Sequence, residues 1–200
     1  MFEKVKSNLE KKGYAVSVFA TAMEAAEYLD GVIDGKSVGF GGSLTLQEMG
    51  LAERLEKHNT LLWHWKVPEG KTVADMRAAG NAAEIYISSV NGLAETGEII
   101  NIDGTCNRVA AILHGHEKVY LVVGKNKLAE TEEGAIFRAR HVAAPKNAQR
   151  LGRNTPCAQK ADKCYNCKSE ERICRALCVL WEKPMGMPRE VVLVEENLGY

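Results

Sequence analysis

Apolar residues recur at helical or strand spacing along nearly the whole chain, and the pattern predicts that the two kinds of element alternate. Phe2, Val5 and Leu9 fall close to the helical period over residues 1–11, and Gly13 stops the helix they imply. Residues 14–19 read as a strand. Thr21 and Glu24 then have the capping-box spacing, in which hydroxyl and carboxylate satisfy each other's backbone N–H, so a helix opens over residues 22–29. The short apolar run 37–40 suits a buried strand, runs into Gly41-Gly42-Ser43, and is followed by helical spacing over 44–57. A strand at 61–65, an alanine-rich helix at 72–83 and a strand at 84–90 come next. Residues 107–114 suit a helix, and 118–123 form the clearest buried strand in the sequence. A helix over 132–142 should end before Pro145, with a short continuation at 146–151. Residues 177–182 and 191–194 read as two closing strands that add to a sheet edge. This order predicts an α/β protein, an open, mostly parallel sheet with helices on both faces. Residues 1–200 make one domain, and 156–178 form a cysteine-rich insertion before the closing strands.

Composition narrows the partners. Two hundred residues at 46% hydrophobic can bury one sizeable core. Twenty-six basic residues balance 26 acidic ones, so neither nucleic acid nor an anionic membrane surface is the default partner. The opening Met1-Phe2-Glu3-Lys4 carries charge and no apolar signal core, and no stretch reaches bilayer length. A cytoplasmic location is therefore expected, with the six cysteines reduced, metal-bound or redox-active. A homo-oligomer is the common outcome for such a protein.

The chemistry concentrates in SSVNGLAETGEIINIDGTCNRV, residues 88–109. An apolar run leads into a Thr96-Gly97 turn, a second apolar run, and a polar cluster. Asp103 offers a carboxylate, Asn101 and Asn107 offer amides, Gly104 permits close backbone approach, and Arg108 is a fixed cation. In open α/β sheets, ligands sit in the crevice at the strand carboxyl ends. Gly41, Gly42 and Ser43, Asn91, and Lys125 each follow a predicted strand, so they can converge on one crevice that receives a carboxylate or phosphate. Two blander readings stand beside this. Gly-Gly before a helix is also an ordinary turn, and Lys125 also suits a solvated loop. His64, between two tryptophans, reads first as a satisfied histidine on a half-buried strand.

Five of the six cysteines lie between Pro156 and Cys178, spaced Cys157-x6-Cys164-x2-Cys167-x6-Cys174-x3-Cys178. Two residues between Cys164 and Cys167 allow a tight turn around one metal, and Cys157 and Cys174 would complete four thiolates. Soft thiolates select zinc or an iron–sulfur cluster, and the spacing does not choose between them. A redox dithiol and inert buried thiols are the alternatives. Cys106 stands apart as a small space-filler.

The motifs GFGGSLTLQEMGL, SSVNGLAETGEIINIDGTCNRVA, VYLVVGKNKL, RHVAAPKNAQRL and TPCAQKADKCYNCKSEERICRA, in this order, resemble the LUD-domain proteins, the lactate-utilisation family, over positions 2–200. More remotely, the glycine loop and the Asn91-to-Thr105 stretch are similar to ribose-5-phosphate isomerase, glucosamine-6-phosphate deaminase, methylthioribose-1-phosphate isomerase and the CoA-transferases. The resemblance implies a Rossmann-like sheet and ligand contacts at Gly41, Gly42 and Ser43. It also implies participation in lactate-to-pyruvate oxidation beside iron–sulfur partner proteins. Asn91 stands where the isomerases have aspartate, and an amide cannot serve as their acid/base. Asp103, with Glu95 second, then becomes the candidate catalytic carboxylate. The alternative is a free-standing enzyme on a sugar phosphate or CoA thioester with a structural metal. No dinucleotide fingerprint is present. Cys106 occupies a position where the family more often carries glycine.

Overall fold

Strand composition decides the architecture. The computed structural model describes residues 1–200 and contains ten strands. Six of them are β1 (Ala15–Phe19), β2 (Ser37–Phe40), β3 (Thr60–Trp63), β4 (Ile85–Ser89), β7 (Lys118–Gly124) and β10 (Arg189–Val194). These form an all-parallel sheet in the order β1-β10-β7-β4-β2-β3. A second sheet, ordered β8-β5-β6-β9, comprises β5 (Gly92–Ala94), β6 (Ile99–Asp103), β8 (Leu128–Ala129) and β9 (Ala176–Leu180).

Period-two alternation splits the core into two layers. Val119, Leu121, Val191 and Leu193 point to one face, where they meet α1 (Glu3–Lys11) through Val5 and Leu9, and α6 (Asn107–Leu113) through Ala111 and Ile112. Tyr120, Val122, Val192 and Val194 point to the other, against Leu29 of α2 (Ala22–Val32), Leu46 of α3 (Leu44–Glu48), and Leu51 and Leu55 of α4 (Leu51–Leu55). Strands buried on both faces need apolar side chains at successive positions, which is why β7 and β10 read as continuous runs. Truncating one such residue, for example Leu121→Ala, costs about 2–5 kcal/mol. The Thr21–Glu24 capping box is present. No helix is long and apolar enough to cross a membrane.

Three details depart from the sequence reading, each for a local reason. The helix expected over 44–57 is two short ones, because Gly50 takes a left-handed conformation between α3 and α4. The closing strands do not pair at one edge. β9 lies at the edge of the second sheet, antiparallel to β6, while β10 enters the main sheet between β1 and β7. Every residue of β10 is buried, so an interior position is the one that covers both its faces. The helix before Pro145 also does not end there. α7 (Glu132–Arg138) passes through a wider π turn at Ala139–Ala143 into α8 (Ala144–Arg150). The wider turn relaxes the bonding ladder where proline lacks its N–H and crowds the preceding turn.

Candidate functional site

The loops after β2 and β4, the end of β6, and the start of α6 surround one cleft of about 400 Å³. Gly42, Ser43 and Asn91 line it, as do Asp103, Gly104, Asn107 and Arg108. The polar cluster after β6 is brought there because the β5–β6 hairpin returns the chain, antiparallel, to the mouth from which it left β4.

Arg108 organises this wall. Its Nη1 donates to Ser89 O at 3.1 Å and to Asn101 Oδ1; its Nη2 donates to Asn91 Oδ1 at 3.0 Å and to Ile102 O at 2.8 Å. The guanidinium fork is thus spent on the chain's own acceptors and serves as a brace, with little left for an anion. Asn101, 1% exposed, lies behind the cleft in this network. Asn91 Oδ1 also accepts from Ile102 N at 2.8 Å, so its amide is fixed with the oxygen inward and Nδ2 as the uncommitted donor.

Asp103 is similarly committed. Its Oδ1 accepts from the backbone N–H of Thr105 and Cys106, and its Oδ2 accepts from that of Val109. These are the bonds of a carboxylate that caps a loop and the first turn of α6. Cys106, just before α6, has φ +65°, a left-handed backbone that glycine adopts without strain.

The glycine loop divides into two roles. A Cβ on Gly41 would stand 2.6 Å from Ser88 Oγ and 3.2 Å from Arg108 Cδ, so Gly41 serves packing beneath the cleft. Gly42 faces the cleft beside His64 Nε2. Ser43 Oγ accepts from Leu46 N and caps α3 itself, which takes up one of that short helix's first amides. Gly104 lets the chain's own Ile173 carbonyl approach closely.

Two sequence candidates lie elsewhere. Glu95 is carried to the far end of the hairpin, where Lys4 Nζ meets its carboxylate at 2.6 Å and Asn8 Nδ2 its carbonyl at 2.7 Å. Lys125 is outside the cleft wall; Lys127 lines it instead. Lys125–Lys127 is one 3-10 turn, in which side chains two residues apart point in different directions.

Lys127 is 4% exposed and has no hydrogen-bond or ion-pair partner. Burial, then the neighbouring Arg138 and Arg108, push its pKa down to about 7, against a weaker pull from Glu48. Arg138, braced on Asn126 O and Asn91 O, is itself lowered to about 10 by burial. Arg77, Arg150 and Arg153 complete the cationic lining. Arg77 Nε is buried without a partner, and Arg150 lies over the Trp65 ring at 4.9 Å. His64 also lines the cleft, its pKa lowered by burial and by Arg77. Arg77 and Arg153 carried no local signal in the sequence: one lies in an alanine-rich helix and the other just past a helix end, and nothing in either stretch marks a residue that faces a cleft.

Cys157, Cys164, Cys167 and Cys174 line one small hollow, about 10 Å³, between α8 and the chain beyond α9 (Pro156–Lys160). All six cysteines are free thiols, and no three His, Cys, Asp or Glu side chains are grouped closely enough to hold a single metal ion.

A six-stranded parallel sheet with helices on both faces and a cation-lined cleft at its strand carboxyl ends defines an open-sheet α/β protein. The chain belongs to the LUD-domain family, whose model matches residues 2–194, and at that level it is a lactate-utilisation-associated protein. Its fold is similar to the crystal structure of a DUF162 family protein from Deinococcus radiodurans. That match has 14% identity and a TM-score of 0.54, and it covers 96% of this chain and 94% of that one. Ribose 5-phosphate isomerase from Plasmodium falciparum (15% identity, TM-score 0.33, 55% of this chain and 52% of that one) is a weaker likeness. So is eIF2B beta from Chaetomium thermophilum (13% identity, TM-score 0.34, 66% and 44%). Scores that low carry no argument. No curated protein matches the sequence.

Proposed function

We propose that this LUD-domain protein binds a small carboxylate, lactate or pyruvate, in the cleft and serves lactate-to-pyruvate oxidation as a subunit or accessory beside iron–sulfur partner proteins. One observation supports this most directly. In a chain of zero net charge, Arg77, Arg108, Lys127, Arg150 and Arg153 line the cleft against a single side-chain carboxylate, Asp103, whose oxygens are already occupied. Concentrated charge of one sign in a cleft focuses the field and favours an anionic guest. The lactate assignment itself comes from the family.

The cleft volume supports a second reading, a phosphorylated sugar or CoA thioester, because about 400 Å³ falls in the range of ligand sites for larger molecules. Glu95 has no part in that chemistry from where it stands. Thermal melts at low salt with saturating L-lactate, pyruvate, ribose 5-phosphate and CoA separate the readings. A ligand at a hundred times its Kd stabilises by about 2.7 kcal/mol. That shifts the melting temperature by roughly 5–11 °C in a chain of this size. Lactate or pyruvate should produce the shift. A response to the phosphorylated compounds alone favours the second reading, and no response to any of them overturns the cleft assignment.

A further inference from the structure

We propose that Cys157, Cys164, Cys167 and Cys174 are the ligands of an iron–sulfur cluster carried by this chain itself, seated directly behind the cleft. The assignment stands independently of which anion the cleft takes.

Convergence is the first ground. These four cysteines are far enough apart in sequence to scatter, yet they face one hollow, whereas Cys106 and Cys178 do not reach it. Cys157 sits on the short helix α9, while between α9 and β9, where the other three lie, the backbone forms neither helix nor strand. The local chain is nonetheless shaped for sulfur ligation. Asn166, between Cys164 and Cys167, takes φ +48°, and its N–H donates to Cys164 Sγ at 3.3 Å. An amide aimed back at the first sulfur of a Cys-x-x-Cys turn is a contact of the kind that tunes cluster thiolates.

Charge is the second ground. Arg140 and Arg172 line the same hollow. Arg172 Nε donates to Cys174 O at 2.8 Å and to Cys174 Sγ at 3.2 Å, and its Nη1 donates to Cys167 O at 3.1 Å. Four thiolates around a cluster carry net negative charge, and two guanidinium groups beside them offset it.

Spacing between the thiols selects the kind of metal. A single zinc draws four sulfurs to about 2.3 Å from one point, and here no three are within reach of a shared ion. A cluster holds its thiolates farther apart, on separate irons. Position adds the consequence. Ala144 and Ile173 line both the cleft and the hollow, so the two spaces share one wall.

The test is anaerobic purification of the full chain, reconstitution with ferrous iron and sulfide, and analysis of iron, acid-labile sulfide and zinc. Iron and sulfide should appear in equal amounts, about two or four per chain, with a visible absorbance that bleaches on reduction by dithionite. Cys167→Ser and Cys174→Ser should lose most of that absorbance, while Cys106→Ser and Cys178→Ser keep it. Alkylation covers the case in which the ligand variants fail to fold: in the folded, loaded wild type the four proposed ligands should resist iodoacetamide, and in the folded, metal-free protein the same four should label. Zinc alone, no bound metal after reconstitution, or equal loss in the Cys106 variant overturns the proposal.

Discussion

Arg108→Met separates a brace from a ligand contact, because methionine keeps part of the apolar stem and removes only the fork. In the folded protein the guanidinium serves Ser89 O, Asn101 Oδ1, Asn91 Oδ1 and Ile102 O, and the arginine side chain is 12% exposed, so water cannot replace it at most of these acceptors. A buried acceptor left without a donor costs about 1–3 kcal/mol. Asn91 Oδ1 keeps its bond from Ile102 N and Ser89 O keeps its bond from Ser88 Oγ, so Asn101 Oδ1 and Ile102 O are the two acceptors left without a donor, and the expected loss is roughly 2–6 kcal/mol. For a chain of this size that lowers the melting temperature by roughly 4–24 °C. Urea denaturation followed by circular dichroism gives the number, with an unchanged slope showing that the unfolded reference has not moved. A loss below about 1 kcal/mol together with abolished ligand binding would refute this reasoning and return Arg108 to the role of anion partner.

Other outcomes follow from the same geometry. Asp103→Asn replaces the oxygen that accepts from Val109 N with a donor, and should cost about 1–2 kcal/mol in chemical denaturation; an unchanged midpoint with lost turnover would instead make the carboxylate catalytic. Cys106→Gly should stabilise by about 1 kcal/mol, since it relieves a left-handed backbone, and calorimetry showing a loss would contradict that. Gly41→Ala should destabilise by about 1–3 kcal/mol through its clash with Ser88. Lys127 makes stability pH-dependent. Between about pH 7 and the ordinary lysine value of 10.5, the unfolded chain holds a proton that the folded chain has shed, so this residue's contribution improves as pH rises through that window. Lys127→Met should therefore be more stable than wild type at about pH 6, with the gap closing towards about pH 10; a gap that stays constant with pH would show that the amine is not the cause.

What could be read in the sequence was the part that repeats. Apolar runs in β7 and β10 announce strands buried on both faces, and the Thr21–Glu24 pair announces a helix start, because these features are local. Strand order is not local: placing β10 between β1 and β7 satisfies burial that no period encodes. The crowded polar loop after β6 was visible as a place of chemistry. Which of its groups face a ligand and which face one another depends on the tertiary fold, so Arg108 and Asp103 turn out to be committed internally. Lys125 and Lys127 are indistinguishable until the 3-10 turn orients them. Arg150 reaches the cleft because the helix continues past Pro145 through a π turn, an outcome that proline itself argues against. Glu95 is near in sequence but belongs to the hairpin tip beside Lys4.

The central claim is that cationic side chains in this cleft hold an anion. Isothermal titration of pyruvate and L-lactate into wild type, Arg77→Met and Lys127→Met at low salt, with binding repeated at about pH 6 and pH 8.5, tests it most directly. The account predicts binding by wild type that weakens in both variants, and that weakens for wild type, but not for Lys127→Met, as pH rises past about 7. Equal affinity in all three proteins, or no heat of binding in any, would contradict it.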